Sequence, residues 1–539
     1  MLAQPAAFAY RLISGSPLRH PRFRLFYVGS IGSALAYTMQ ATIAAWLMAT
    51  LTPSALMVAL VQTASTAPTL LFGLIAGTLA DIVERRHIIL LTQLLLFAAT
   101  AMLGVATLVG FIGPLSLLFL TFIVGAGFTF YLPAQQASIN ELVVRNELAR
   151  AVALGAVAFN VARAVGPALV GVIAALLGSG TALIAAAVFF IPMFFSARRL
   201  KSAKQSLPGV PETLRSGIVS GVRYARHSTA MRALVIRNLS FAMCASAFWA
   251  LLPVIARDQL QLGAGGFGLL SAGFGAGAVV GALSIPRQLQ HRPVNTVVTL
   301  GVFLWVASML IIAATGYTAI ALLGTFGGGF AWVSVFASLS AATQSSAPAW
   351  VRARALAINL VAVQASLAAG SAVWGAIATG IGTHIALAIS AGALVLLTVL
   401  HRNVRVKMGN EADVTMGMPV ADLGITGEPG PDDGPVLIQW EYRIPAANHE
   451  AFLRAIHAVA PTRRRNGAVS WRVFRDLGDE GRFVERYIVQ SWAEYVRLRN
   501  RMTLADRELQ ERVEKLQSPE APIRISRLIG VREIEEDES

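Results

Sequence analysis

The sequence predicts an all-α membrane protein of twelve transmembrane helices in two six-helix halves, followed by a small α+β domain at the C-terminus. Three observations predict it: a charge-poor composition, six long apolar stretches each broken by one turn signal, and a late switch to water-soluble patterning. Hydrophobic residues make up 55% of the 539 and charged residues 14%, and the mean hydropathy is +0.62. Soluble domains carry about 25% charged residues, so lipid solvates most of this chain.

The elements follow in order. No Asp, Glu, Lys or Arg occurs between Arg24 and Asp81, between Arg86 and Glu141, or between Arg292 and Arg352. A spanning helix needs about 20 apolar residues, so each stretch holds two. Their breakers are Thr52-Pro53, Gly113-Pro114 and Thr315-Gly316. Three more hairpins, at about 151–197, 233–286 and 355–401, turn near Gly178-Ser179-Gly180, Gly263 and Gly380. The expected division is an N-terminal segment (1–24), a first half (25–197), a central loop (198–231), a second half (232–402), a linker (403–435), a soluble domain (436–532) and an acidic tail (533–539).

The net charge of +15 is unevenly spread. Through Lys407 there are 26 basic and six acidic side chains; beyond it there are 18 and 23. All six hairpin turns face one side, where Arg257 is the only basic residue. The other side carries Arg19, Arg22, Arg24, Arg85, Arg86, Arg145 and Arg150, the central loop's arginines and lysines, then Arg287, Arg292, Arg352, Arg354, Arg402, Arg405 and Lys407. The positive-inside rule therefore predicts a multi-pass protein of the cytoplasmic membrane with both termini cytoplasmic, and explains the charge better than nucleic-acid binding does. The N-terminus lacks the pattern of a cleaved signal peptide, so no removed segment is expected. Cys244 stands alone in an apolar stretch, which excludes an intrachain disulfide and reads as a small buried hydrophobe.

One offset, 204 residues, relates two places in the halves. Gly73-x3-Gly77 matches Gly277-x3-Gly281, and Arg150-Ala-Val-Ala-Leu154 matches Arg354-Ala-Leu-Ala-Ile358, with Gly166 and Gly171 matching Gly370 and Gly375. Two parallel halves of this kind place a substrate site between them near the midplane.

The segment GTLADIVERR, Gly77 to Arg86, resembles the loop between the second and third helices of the major facilitator superfamily, whose Gly-x3-Asp-x2-Gly-Arg-Arg pattern braces a cytoplasmic gate. Gly77, Asp81, Arg85 and Arg86 match, while Ile82 and Glu84 depart from it. A narrower resemblance, to the bacterial branch with the enterobactin exporter and related secretion effectors, is carried by NVARAVGPALVG (Asn160 to Gly171), ALLPVIARDQL (Ala250 to Leu260) and QSSAPAWVRARAL (Gln344 to Leu356). Together these imply the major facilitator fold and transport by alternating access.

Asp81 is either a solvated loop acid or a latch onto free amides at the start of the eleventh helix near Ala355, and Glu141 is the expected partner of Arg86. Arg163 lies about 12 residues into the fifth helix, roughly 18 Å deep. An arginine at that depth faces a cavity or a structural partner such as Asn160. Arg237, only just inside the seventh helix, is expected to snorkel. Gly166, Pro167 and Gly171 resemble the fifth-helix motif of drug–proton antiporters, with Ala162 and Val170 at two of its glycine places; ordinary close packing is the alternative. Gln40, Thr66, Tyr131, Asn160, Trp249 and Trp332 stand at cavity depth beside Arg163. No acid lies mid-helix, so a cavity with arginine and no carboxylate suits an anionic or neutral substrate.

After the linker, Val436, Ile438, Trp440, Tyr442 and Ile444 alternate as one face of a strand. A helix near 446–461, strands near 468–475 and 482–492, a long helix 493–517 and a strand near 523–529 complete a βαββαβ, ferredoxin-like order. This tail resembles small antibiotic-biosynthesis monooxygenase-like domains, which implies a homodimer. His449 and His457, eight residues apart on one helix, are too distant to share a metal. Arg463-Arg464-Arg465 reads as a solvated turn or a contact for anionic lipid or ligand. No metal or cofactor is expected. The partners expected are a small-molecule substrate and the lipid bilayer, and the activity expected is export rather than catalysis. An importer of the same fold, or an enzyme or sensor acting through the tail, remain the alternatives.

Overall fold

The computed structural model describes residues 17–144, 147–200, 214–348, 350–417 and 429–530; a few side chains within them, Asp81 among these, lie outside the described set. Among the described residues, twelve helical spans are long and apolar enough to cross a membrane. The first half contains α1 (Pro21–Leu51), α2 (Ala55–Ile82), α3 (Arg85–Leu108), α4 (Pro114–Leu142) and α5 (Leu148–Leu177). Its sixth span is broken into α6 (Ser179–Val188) and α7 (Ile191–Arg198), interrupted at Phe189-Phe190 just before Pro192. After α8 (Leu214–His227) the second half runs through α9 (Thr229–Asp258), α10 (Ala264–His291), α11 (Val294–Ala314), α12 (Thr318–Ser346), α13 (Arg352–Ile381) and α14 (Thr383–Leu400). Leucines stand exposed on their outer faces, Leu91, Leu176, Leu283 and Leu396 among them. Such surfaces suit lipid rather than water.

The turn signals fall where helices end, with one exception. Gly380 lies within α13, and the chain turns instead at Gly382, whose φ of +90° matches the +87° of Gly178 between α5 and α6. Both conformations favour a residue without Cβ. The 204-residue spacing is kept in the last three spans of each half: Thr318, Arg352 and Thr383 open helices that far after Pro114, Leu148 and Ser179. It is not kept earlier. Both ends of α10 (264 and 291) lie 209 residues after those of α2 (55 and 82). Gly277 and Gly281 are thus five residues out of register with Gly73 and Gly77. Their surroundings differ accordingly: a Cβ on Gly277 would strike the Phe326 carbonyl, whereas one on Gly77 would meet nothing within 4 Å.

The chain divides into two compact units. One comprises Met1–Val210, Arg237–Leu339 and Leu360–Arg405; the other comprises Pro211–Ile236, Ser340–Asn359 and Val406–Ser539. Within the second unit, β1 (Val436–Arg443), β2 (Ser470–Arg475), β3 (Arg482–Val489) and β4 (Arg524–Ile529) form a sheet in the order β2-β3-β1-β4. Every neighbour is antiparallel, the ferredoxin-like arrangement. Val436, Ile438 and Tyr442 turn inward onto Phe452, Ile456 and Val459 of α15 (His449–Asn466). The long helix expected over 493–517 is two, α16 (Trp492–Asn500) and α17 (Leu504–Glu514), because Thr503 and Asp506 form a reciprocal capping box that starts a new helix.

Two expectations change here. Arg463 is no solvated turn or lipid contact: it ends α15 inside the core and pairs with Glu485 at 3.0 Å, their side chains 2% and 0% exposed. Trp471 and Tyr442 donate to the same carboxylate, and Arg463 also donates to Gln510. Arg465 pairs with Asp506, leaving only Arg464 exposed. The central segment is not all loop either. In α8, Arg223 pairs with Glu494, Tyr224 donates to the Ser346 carbonyl at 3.2 Å, and Tyr224 meets the Trp350 ring edge-on. Arg501 lies 4.4 Å from the centre of that ring and also pairs with Glu494. Burial alone would raise the Glu494 carboxyl, but Arg501 and Arg223 hold it below its usual value. These contacts therefore contribute at neutral pH and are lost as pH falls through that lowered value.

Removing one partner of the buried pair leaves an uncompensated charge, at a cost of about 3–5 kcal/mol. Glu485→Leu should expose the tail to trypsin at clearly lower urea concentration, and Arg463→Met added to it should recover most of the loss. An unchanged urea midpoint in Glu485→Leu would contradict this account of the core.

Candidate functional site

Close helix crossings set the site. On α5, a Cβ at Gly166 would overlap the Thr38 hydroxyl of α1, and Thr38 donates to the Ala162 carbonyl at 3.0 Å. Two further crossings bring α5 against α10: Gly171 meets Gly268, and Gly275 meets the Ala164 backbone. Gly166 and Gly171 are thus close-packing positions, while Pro167 lines the space beside them. On another side, Thr63 of α2 donates to the Ala368 carbonyl of α13 at 2.9 Å, and Gly375 fits against Ala59.

Between these seams lies a cavity of about 380 Å³, within the range of small-molecule sites. Arg163 lines it, as do Thr66, Trp249 and Trp332. Gln40, Tyr131 and Asn160 do not. Gln40 is buried in the helix packing with its Nε2 unpartnered among the described residues, and Tyr131 stands behind Phe128, which does line the cavity. The Arg163 guanidinium lies 5.2 Å from the centre of the Phe159 ring and makes no hydrogen bond to a described residue. Leu367, its counterpart at the 204-residue spacing, lines the same cavity. The two halves therefore present a cation and an alkyl group from equivalent positions. Trp249 and Trp332 belong to an aromatic cluster with Phe274 and Trp305, which makes the second half's wall stiff and apolar.

Sequence reasoning missed Gln62 and Gln364, which also line the cavity, along with Tyr37 and Ser271. Polar character at cavity depth singled out Gln40 and Asn160 instead, because it does not report which way a helix faces. A usable signal existed for Gln364, which stands 204 residues after Asn160.

At the arginine-rich end, Arg85 pairs with Glu141 and donates to the Ala137 carbonyl at 3.2 Å. Arg85, rather than Arg86, is thus the partner of Glu141, and the buried Nε of Arg86 has none among the described residues. The Asp81 side chain lies outside the described set. Arg237 does not snorkel: it is 7% exposed and donates to the carbonyls of His401 (3.1 Å) and Val404 (3.3 Å), closing the end of α14.

A family model for transmembrane secretion effectors, a group of major facilitator transporters, matches residues 13–535. The chain belongs to that family. No curated protein matches the sequence. Among solved structures, a bacterial homologue of the human lysosomal transporter Spinster, inward-facing and unoccupied, aligns with a TM-score of 0.56 at 12% identity, covering 72% of this chain and 95% of that one. The nucleoside transporter NupG aligns at 0.58 and 13% identity, over 71% and 98%. The human organic anion transporter MFSD10 aligns at 0.50 and 16%, over 71% and 99%. At such identities the likeness shows the fold alone. The chain is thus a multi-pass secondary transporter, and its relatives are transporters rather than enzymes.

The glycines give a direct check. Gly166→Val should lower the melting temperature of the purified transporter, since overpacking costs about 1–3 kcal/mol. Gly77→Ala, with open space around it, should not. Equal melting temperatures for the two variants would contradict the crossing described.

Proposed function

We propose that this transporter exports an anionic or amphipathic small molecule, siderophore-like in character, across the cytoplasmic membrane by alternating access. The observation that carries the reading is Arg163: a cation in the cavity with no hydrogen bond to a described residue is a ready partner for an anionic group. The family's description as secretion effectors and the resemblance to the enterobactin exporter support the outward direction. The arginine asymmetry supports cytoplasmic termini. Asp81 and the Arg85–Glu141 pair are the proposed gate. The tail is a regulatory module, and its resemblance to paired monooxygenase-like domains supports a homodimer.

Two measurements test this. Reporter fusions after Leu200 and after Lys407 should both read as cytoplasmic; an external signal from either would overturn the orientation. Arg163→Leu should insert and melt at least as well as the parent, because a membrane penalty of about 2.5–3.5 kcal/mol disappears. Its transport and binding of anions should nevertheless fall by at least about tenfold, since a charged hydrogen bond contributes about 1.5–3 kcal/mol. Normal anion transport by stable Arg163→Leu protein would remove the anionic reading.

A further inference from the structure

The cavity's polar lining divides into groups already engaged by the protein and groups that are not. Most hydroxyl donors are spent on helix carbonyls: Thr42 donates to Thr38, Ser65 to Val61, Thr66 to Gln62 and Thr129 to Gly125, all at 2.8–3.0 Å. Thr69 shares its hydroxyl with Thr129. The side-chain amides of Gln62 and Gln364 make no hydrogen bond to a described residue, yet both line the cavity. They come from different halves and flank one seam: Gln62 precedes Thr63, whose hydroxyl bonds Ala368, one helical turn beyond Gln364. Tyr37 and Ser271 also line the cavity, but each offers a single O–H.

A glutamine amide offers two N–H donors and one carbonyl acceptor on separate atoms. A secondary amide in a ligand is planar and trans, with its N–H and C=O on opposite edges, so satisfying both takes two partners. A ligand hydroxyl, which donates and accepts through one atom, makes no such demand. We propose that Gln62 and Gln364 form an amide-reading clamp, and that the ligands bound best are anions carrying a secondary amide, the charge at Arg163 and the amide between the two glutamines. The clamp rests on the anionic reading of Arg163 given above. Because the glutamines belong to different halves, such a ligand ties the halves together across the α2–α13 seam.

Three probes separate the contributions: N-benzoylglycine (charge and amide), 4-phenylbutyrate (charge, with the amide replaced by methylenes) and N-ethylbenzamide (amide, no charge). Calorimetric titration of the full-length protein in nanodiscs should show N-benzoylglycine binding at least about tenfold tighter than 4-phenylbutyrate, as two net hydrogen bonds imply. Gln62→Leu and Gln364→Leu should each cut that ratio severalfold while leaving 4-phenylbutyrate within about twofold of its parent affinity, which also shows that the variants fold. Arg163→Leu should weaken both anions and spare N-ethylbenzamide. Equal affinities for the two anions in the parent, or a ratio that survives both leucine substitutions, would overturn the clamp. If the anions bind through Arg163 without that ratio, the clamp alone fails; if Arg163→Leu changes nothing, the anionic reading fails with it.

Discussion

An arginine deep in the membrane part of the chain, with no acceptor for its guanidinium among the described residues, is the constraint on which the rest turns. Placing that charge in a spanning helix costs about 2.5–3.5 kcal/mol even by insertion scales. A protein offsets such a cost with a structural partner or keeps the charge for a ligand in a polar space. Here Arg163 lies against the Phe159 ring and lines the cavity. The cavity exists because α5 is held tightly on two sides, against α1 through Gly166 and against α10 through Gly171 and Ala164. Small residues allow backbones to approach where lipid provides no hydrophobic drive for association. They also fix the direction in which Arg163 projects.

The two halves do different work in the site. The first supplies the cation and one glutamine; the second supplies the other glutamine and a wall built on Trp249, Trp332 and Phe274. A repeat thus sets the architecture, and its asymmetric substitution, Arg163 against Leu367, gives the two halves different cavity linings.

Much of the fold was legible because lipid leaves a coarse record. Uncharged stretches, prolines and glycines at turns and the arginine bias are summed over dozens of residues, and they placed the helices closely. What failed depended on single contacts. Phe189-Phe190 interrupts a span that hydropathy reads as continuous. In α8 the described buried residues are Ser220, Gly221 and Tyr224 while Val219 and Val222 stand exposed, so its apolar residues do not mark the face that packs. Arg463 looked like surface charge because its partner, Glu485, is 22 residues away, on strand β3. In the site, Arg163, Thr66, Trp249 and Trp332 were found by charge, polarity or aromatic character at cavity depth. Gln40 and Tyr131 shared those marks but point into packing, a distinction that depends on helix rotation and that composition does not contain.

The most direct test of the central claim is a structure of the full-length protein with 4-bromobenzoate, its bromine located by anomalous scattering. The account predicts the bromine inside the cavity among Phe159, Trp249 and Trp332, with the carboxylate within hydrogen-bond distance of the Arg163 guanidinium. A bromine peak elsewhere, with Arg163 bonded instead to a protein carbonyl or carboxylate, would contradict it.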